Sequence, residues 1–145
     1  MQKLFLTVLL MTMSVSAAAE WVKLHSFERY TLYAEPDTIR KTGSIVNMSH
    51  MYDLHMIDEV AGKQFRSAVS KASYNCKNGK SRMLTAYAYP GNMGKAPERI
   101  IAGKITSSRA SRSINHISEP GRWKPIMSGS VEELLWKFVC EGGRK

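Results

Sequence analysis

The chain has 145 residues, 43% of them hydrophobic, and a formal net charge of +9. A chain of this length buries enough surface to fold as one domain, which excludes a mini-protein that depends on metals or many disulfides. The positive charge favours anionic partners, namely a membrane surface, a polysaccharide, a nucleic acid or an acidic protein, unless it serves only to keep a small domain soluble.

The first 19 residues have the three parts of a secretory signal peptide. Lys3 supplies the positive charge, Leu4–Met13 form a short apolar run, and Ala17 and Ala19 fit a small-residue cleavage site. The apolar run is shorter than the roughly 20 residues that a membrane-spanning helix needs. We therefore expect cleavage after Ala19 and a mature domain of residues 20–145, located in the periplasm, on the cell surface or outside the cell.

Alternating apolar and polar residues predict strands through much of the mature chain. The predicted strands are Trp21–His25, Tyr30–Ala34, Ser44–Ile57, Phe65–Cys76 and Ser81–Tyr89. Pro36–Arg40 is predicted to form a single helical turn, because Pro and Asp suit the first turn of a helix. Gly43 and the Asn78-Gly79 pair predict two hairpin turns.

Residues 95–124 have a different composition. Ile101, Gly103 and Ile105 predict one more strand, and the small polar residues 106–113 predict a loop. The segment holds seven basic residues against two acidic ones, which is +5 of the mature chain's +8.

Three arginines of this segment are the candidate binding residues: Arg109, Arg112 and Arg122. Guanidinium groups match the geometry of carboxylate, sulfate and phosphate groups, so the arginines predict a surface for an anionic partner. The alternative is a solvated loop without a partner.

The last predicted element is a helix. Ser130 suits the N-cap position and Glu133 completes a capping box. The residues at helical spacing, which predict one buried face, are Val131, Leu134, Leu135 and Phe138. Gly142-Gly143 predicts the end of the helix. Strands followed by one helix predict an α+β fold, with an antiparallel sheet of about five to six strands.

Cys76 and Cys140 are the two cysteines of the chain. An even count in an exported protein predicts one disulfide, and two cysteines allow a single pairing. The alternative is a pair of free thiols. There is no C-x-x-C motif to indicate a redox enzyme.

No catalytic motif is found in the sequence: H-E-x-x-H, G-x-S-x-G and G-x-G-x-x-G are all absent. Gly79-Lys80-Ser81 matches the end of a phosphate-binding loop, but Tyr74 stands where that motif needs a glycine. We therefore expect no catalytic residues and no cofactor.

The sharpest metal candidate is the predicted third strand, where Met48, His50 and Met56 share one face. Thioethers and imidazoles suit copper. Met48 and Met56 are far apart along a strand, and ordinary methionine packing explains the pattern better, so no metal site is assigned.

Several segments resemble the surface-adhesin protein E family. They are Trp123–Ile126, Ser128–Ser130 with the capped helix that ends at Val139-Cys140, and the strands Ser67–Cys76 and Ala86–Tyr89. The resemblance covers most of the mature chain. It implies a small exported domain with an antiparallel sheet, a C-terminal helix and a disulfide between the two cysteines, and the name of the family comes from adhesion to host proteins.

The sequence therefore favours an exported, non-catalytic binding protein of the bacterial envelope. Its expected partner is a protein or another anionic component of the envelope or of a host surface, with no specific nucleic acid. The alternatives are a small periplasmic enzyme or enzyme inhibitor and, third, a periplasmic copper-binding protein.

Overall fold

The computed structural model describes residues 20–60, 62–95, 100–101 and 121–142. They form an antiparallel sheet, a short 3-10 turn at Asn92–Gly94 and one C-terminal helix, as the α+β prediction expects. The strands are β1 (Val22–Ser26), β2 (Tyr30–Thr42), β3 (Ile45–Val60), β4 (Lys63–Asn75), β5 (Lys80–Tyr89), β6 (Ile100–Ile101) and β7 (Lys124–Pro125), and the helix is α1 (Val131–Glu141).

The sheet is a meander in which each strand from β1 to β6 pairs antiparallel with the next. Short connections make this the natural order, and Gly43 and Gly79 adopt the positive φ values of +60° and +61° that tight turns require. Both predicted hairpins are confirmed. β7 pairs with the start of β5, opposite Lys80 and Ser81, while β6 pairs with its end, opposite Tyr87 and Ala88.

The predicted helical turn at Pro36–Arg40 is wrong, because β2 continues through these residues. Pairing with β3 is interrupted between Glu35 and Arg40 and then resumes, so the segment is a bulge. Proline has no N–H for the ladder, which favours such an interruption. The hydroxyl of Thr38 fixes the bulge: it donates to the Glu35 carbonyl at 2.7 Å and accepts from the Ser49 N–H at 2.8 Å.

The other boundaries agree within a few residues, with two additions. β3 runs to Val60 and turns directly into β4, and Lys124–Pro125 form a strand that the sequence did not indicate. Of the strand predicted from Ile101 to Ile105, the structure describes Ile101, which belongs to β6, and Gly103 and Ile105 lie outside the described residues.

Helix α1 packs on one face of the sheet and forms the main hydrophobic core. The buried residues of this core are Leu32, Ala34, Met48, Ala72, Tyr74 and Leu135. The predicted disulfide is confirmed: Cys76 is bonded to Cys140, with their Cα atoms 5.6 Å apart, so the end of the helix is fixed to the end of β4. Leu134, predicted to be buried, is 38% exposed, since the buried face is centred on Leu135.

The helix begins as its cap predicts, with one difference. The Ser130 hydroxyl accepts a hydrogen bond from the Glu133 N–H at 3.2 Å. The Glu133 carboxylate, however, accepts from the N–H of Gly129 at 2.6 Å and not from that of Ser130. Gly142 ends the helix in the left-handed conformation, at φ +115°.

The opposite face of the sheet is covered by the turn that follows β5. The Asp53 carboxylate accepts hydrogen bonds from the Asn92 side-chain amide at 3.1 Å and from the Met93 N–H at 2.6 Å. The Ser67 hydroxyl donates to the carbonyl of Gly91 at 2.6 Å and accepts from the N–H of Gly94 at 2.9 Å. These bonds hold residues 91–94 against the sheet.

Candidate functional site

A cavity of about 240 Å³ lies beside the start of helix α1, on the face of the sheet that carries the core. Its polar lining residues come from five parts of the chain and are His50, Tyr52, Tyr74, Ser81, Arg82, Arg122, Lys124 and Glu132. We call this space the polar cavity.

The floor of the polar cavity is made by strand register. His50 lies between Ala34 of β2 and Ser70 of β4. Ala72 and Tyr74 follow Ser70 on the same face of β4, because side chains alternate along a strand. Small side chains around His50 leave open space that larger residues would fill, while the imidazole itself is 2% exposed and the Tyr74 side chain 1% exposed.

Three buried side-chain atoms of residues that line this cavity lack a hydrogen-bond partner in the described part of the chain. They are Nδ1 of His50, Oη of Tyr74 and Nε of Arg82. Leaving a buried donor or acceptor unsatisfied costs about 1–3 kcal/mol, so most such groups in native proteins have a partner. Two of the three atoms, those of His50 and Tyr74, belong to side chains on the face of the sheet that carries the cavity.

Burial keeps the titratable groups of the floor neutral. It lowers the pKa of His50 from 6.5 to about 4, so the imidazole is uncharged near pH 7. Burial also raises the pKa values of Tyr52 and Tyr74, and the negative charge of Glu132 adds to both shifts. The phenol groups therefore remain protonated and able to donate.

His50 does not have the arrangement of a catalytic base. A histidine of a catalytic triad donates its Nδ1 proton to a carboxylate that orients the ring. The Nδ1 of His50 has no such partner among the described residues, and the low pKa makes the imidazole a weak proton acceptor. The described residues around His50 therefore do not form a catalytic triad.

The positive side of the polar cavity depends on how residues 121–124 lie against β5. The Gly121 N–H donates to the Met83 carbonyl at 2.8 Å, and a Cβ at position 121 would lie only 3.2 Å from that oxygen. The Arg82 guanidinium stacks on the Trp123 ring, 4.7 Å from its centroid. Arg122, the residue before Trp123, lines the cavity. The register pairs Arg82 with Ser73 and Tyr74 with Ser81, so the Arg82 side chain is on the other face of the sheet.

The structure describes one of the three arginines that were predicted to bind an anionic partner. Arg122 is exposed and lines the polar cavity. Arg109 and Arg112 lie outside the described residues.

The copper candidates are not brought together. Met48 and His50 are buried in the core, whereas Met56 is 62% exposed. Eight residues of extended strand separate Met48 from Met56, a distance of about 26 Å. In the described ranges no group of three or more His, Cys, Asp or Glu residues is placed to hold a metal ion.

A second cationic feature lies at the end of the sheet where the two predicted hairpins turn. The Cys76 N–H donates to the Ser44 carbonyl at 2.8 Å, and the Ile126 N–H donates to the Gly79 carbonyl at 2.9 Å, so three segments meet there. The exposed lysines of these segments are Lys41, Lys77, Lys80 and Lys124. We call this group the basic end. The disulfide brings Glu141 to the same region, and its single negative charge is outnumbered by the four positive charges of these lysines.

Comparisons with known proteins support the fold described above and identify one family. A model of the surface-adhesin protein E family matches residues 21–141. No curated protein sequence matches the chain. Within the part of the chain that the structure describes, no helix is both long and apolar enough to cross a membrane.

Two similar solved structures are those of Haemophilus influenzae protein E. Crystal form II of that protein is 13% identical, with a TM-score of 0.58, and the match covers 83% of this chain and 96% of the other. Protein E from non-typeable Haemophilus influenzae is 12% identical, with a TM-score of 0.57 and coverage of 88% and 79%. At these identities the likeness shows the fold.

Proposed function

This chain belongs to the surface-adhesin protein E family, and from this premise we propose that it is an exported, non-catalytic binding protein of the bacterial envelope that attaches to an anionic partner. The signal peptide predicted in residues 1–19 supports export, and the disulfide suits an oxidising compartment.

The proposal of an anionic partner rests on the position of Arg122 next to the basic end. Lys80 and Lys124 lie on neighbouring strands, opposite Pro125 and Ser81. Arg122 is exposed two residues before Lys124, at the C-terminal end of the basic segment 95–124. The sheet thus brings a local cluster of lysines next to the segment in which the sequence concentrates positive charge.

We infer that Arg109, Arg112 and Arg122 extend this cationic surface toward the partner. Arginine binds sulfate, phosphate and carboxylate groups with two parallel hydrogen bonds, whereas lysine contributes a point charge. A surface that combines both fits a sulfated polysaccharide, an anionic lipid surface or an acidic protein.

The test compares retention on immobilised heparin and on vesicles with and without anionic lipid. One variant replaces Arg109, Arg112 and Arg122 by serine, and a second replaces Lys41, Lys77 and Lys80 by glutamine. Both should elute at lower salt than the wild type, because each has lost three of the positive charges that hold it to the anionic surface. Salt elutes the protein because it screens exposed charges beyond about 8 Å at physiological ionic strength.

The matched control replaces Arg29, Lys63 and Arg66 by glutamine. These residues are exposed at the opposite end of the sheet, near the β3–β4 turn, and the variant loses the same three charges. It should bind almost as the wild type does. Equal loss in all three variants would show that net charge alone causes retention, and unchanged retention of the first two would reject the proposed surface.

A further inference from the structure

We propose that the face of the sheet away from helix α1, which we call the second face, binds a chain of uronic acid sugars, with Arg82 as the residue that holds a carboxylate. The residues of this surface differ from those of the basic end. The inference therefore does not depend on the surface proposed above.

Strand register places two rows of polar side chains across the second face. The first row consists of successive register partners from β5 to β2, namely Arg82, Ser73, Asn47 and Arg40. The next row on the same face, across the bulges of β2 and β5, consists of Thr85, Lys71, Ser49 and Glu35. The turn at residues 91–94 lies over another part of this face, at Asp53 and Ser67.

The cations of these rows have no carboxylate partner among the described residues. Lys71 is exposed, and the one ion pair in the described part of the chain is on helix α1. Glu35 belongs to the same row, but burial and then the charge of Asp37 raise its pKa. A close ion pair with Lys71 would lower that pKa. The positive charge of the second face therefore remains available to attract an anion.

Arg82 is held in place in a way that suits a carboxylate. Its guanidinium lies on the Trp123 ring, 4.7 Å from the ring centroid, which restricts its motion. The Nε of Arg82 is buried and has no hydrogen-bond partner in the described part of the chain. A carboxylate that accepts the Nε–H together with a terminal N–H makes two parallel hydrogen bonds and supplies the missing partner.

The neutral groups of the second face match the surface of a sugar. The Ser73 hydroxyl donates to the side-chain carbonyl of Asn47 at 2.6 Å, which fixes the orientation of the amide. Tyr33, opposite Met51 in the following row, adds an aromatic ring on which the apolar face of a sugar can stack. A protein partner needs an apolar centre to its interface, and the two polar rows contain no apolar side chain.

The spacing of the cations favours carboxylates over sulfates. Strands lie about 4.8 Å apart and residues of one face follow at about 6.6 Å, so Arg82, Lys71 and Arg40 have Cα atoms about 8–12 Å from one another in succession. Single charges at such intervals fit a polymer with one charge on each sugar unit. A highly sulfated chain carries several charges on each unit.

The experiment is an NMR titration of the oxidised mature protein with a hexamer of galacturonic acid. It follows the Arg82 Nε–H, the side-chain NH2 group of Asn47 and the indole N–H of Trp123. The first control is the methyl-esterified hexamer, which keeps the sugars and loses the charges. The second is hexaglutamate, which keeps the charges and lacks the sugars, and the third is a heparin hexasaccharide.

Saturable shifts of the three signals with the galacturonate hexamer, and weaker binding of every control, support the proposal. No shift with galacturonate would overturn the site. Equal binding of the esterified hexamer would overturn the role of the carboxylate. Equal binding of hexaglutamate would indicate an acidic protein and overturn the assignment to a polysaccharide, and equal binding of heparin would overturn the choice of carboxylate over sulfate.

Variants place the ligand on the second face. Lys71→Gln should weaken galacturonate binding about threefold, since one exposed charge is lost. Lys77→Gln, which removes an exposed lysine of the basic end, is the matched control and should bind as the wild type does. Arg82→Lys keeps the charge but removes the two parallel hydrogen bonds and should weaken binding about tenfold.

Unchanged affinity in both Lys71→Gln and Arg82→Lys would overturn the proposed location. The variant that replaces Lys41, Lys77 and Lys80 by glutamine should keep most of its galacturonate binding. Loss of heparin retention in that variant, combined with no galacturonate binding by the wild type, would reject this inference alone. Galacturonate binding without any effect of the basic end on heparin retention would reject the basic surface alone.

Discussion

The indole Nε1 of Trp136 donates a hydrogen bond of 3.2 Å to the backbone carbonyl of Asn75, the residue before Cys76. Helix α1 is therefore attached to the end of β4 twice, by this bond and by the disulfide to Cys140. The two links are one helical turn apart on α1, and together they fix the helix over the core face and beside the polar cavity.

Removing the disulfide should lower stability without unfolding the protein. The double variant Cys76→Ser, Cys140→Ser should lose about 2–4 kcal/mol of unfolding free energy, because the bridge closes a loop of 64 residues in the unfolded chain. Urea denaturation of the variant and of the reduced wild type measures this loss. Equal denaturation midpoints for oxidised wild type and variant would contradict it.

Stability should depend on pH through His50. The unfolded chain protonates this histidine near its ordinary pKa of 6.5, whereas the folded protein does so near about 4. Between these values the unfolded state binds more protons, so falling pH favours unfolding. Neutral His50 therefore contributes about 3 kcal/mol to the free energy of unfolding above pH 6.5, and this contribution is lost as the pH falls toward 4.

Urea denaturation between pH 7 and pH 4 measures the direction and the size of this change in unfolding free energy. His50→Gln should remove most of the dependence, because glutamine does not titrate. His25→Gln, which changes an exposed histidine, should retain it. Equal pH dependence in the wild type and His50→Gln would contradict this contribution of His50.

Local signals account for the elements that the sequence predicted correctly. Asn78-Gly79 and Ser130 act within a few residues, through a turn conformation and a cap, so their effect is visible without the rest of the fold. Pro36-Asp37 is also a local signal, for a helix start. It was overridden because the residues on both sides pair with β3, and the sheet keeps the strand with a bulge.

The polar cavity could not be predicted in the same way. Its lining residues are far apart in the sequence, and only the strand register and the return of residues 121–124 to β5 bring them together. One signal was present: the alternation of β3 put His50 on the same face as Met48.

Asp53 should stabilise the turn that covers the second face of the sheet. Asp53→Ala leaves the N–H of Met93 without its acceptor and removes one of the two acceptors of the Asn92 amide, which also donates to the Leu54 carbonyl at 3.0 Å, and we expect a loss of about 1–3 kcal/mol. Amide hydrogen exchange should show faster exchange at Met93. Asp58→Ala is the control. It removes an exposed carboxylate near the β3–β4 turn and should leave the exchange rate at Met93 unchanged.

Cleavage after Ala19 should leave the folded domain intact. The mature chain would begin Glu20-Trp21-Val22, and β1 begins at Val22, so the cut falls two residues before the first strand. Mass spectrometry of protein purified from the envelope measures the N-terminus. Ala19→Arg should block processing, because the cleavage site requires a small residue. A wild-type envelope protein that retains Met1 would contradict the predicted signal peptide, and with it the route by which this domain reaches an anionic partner.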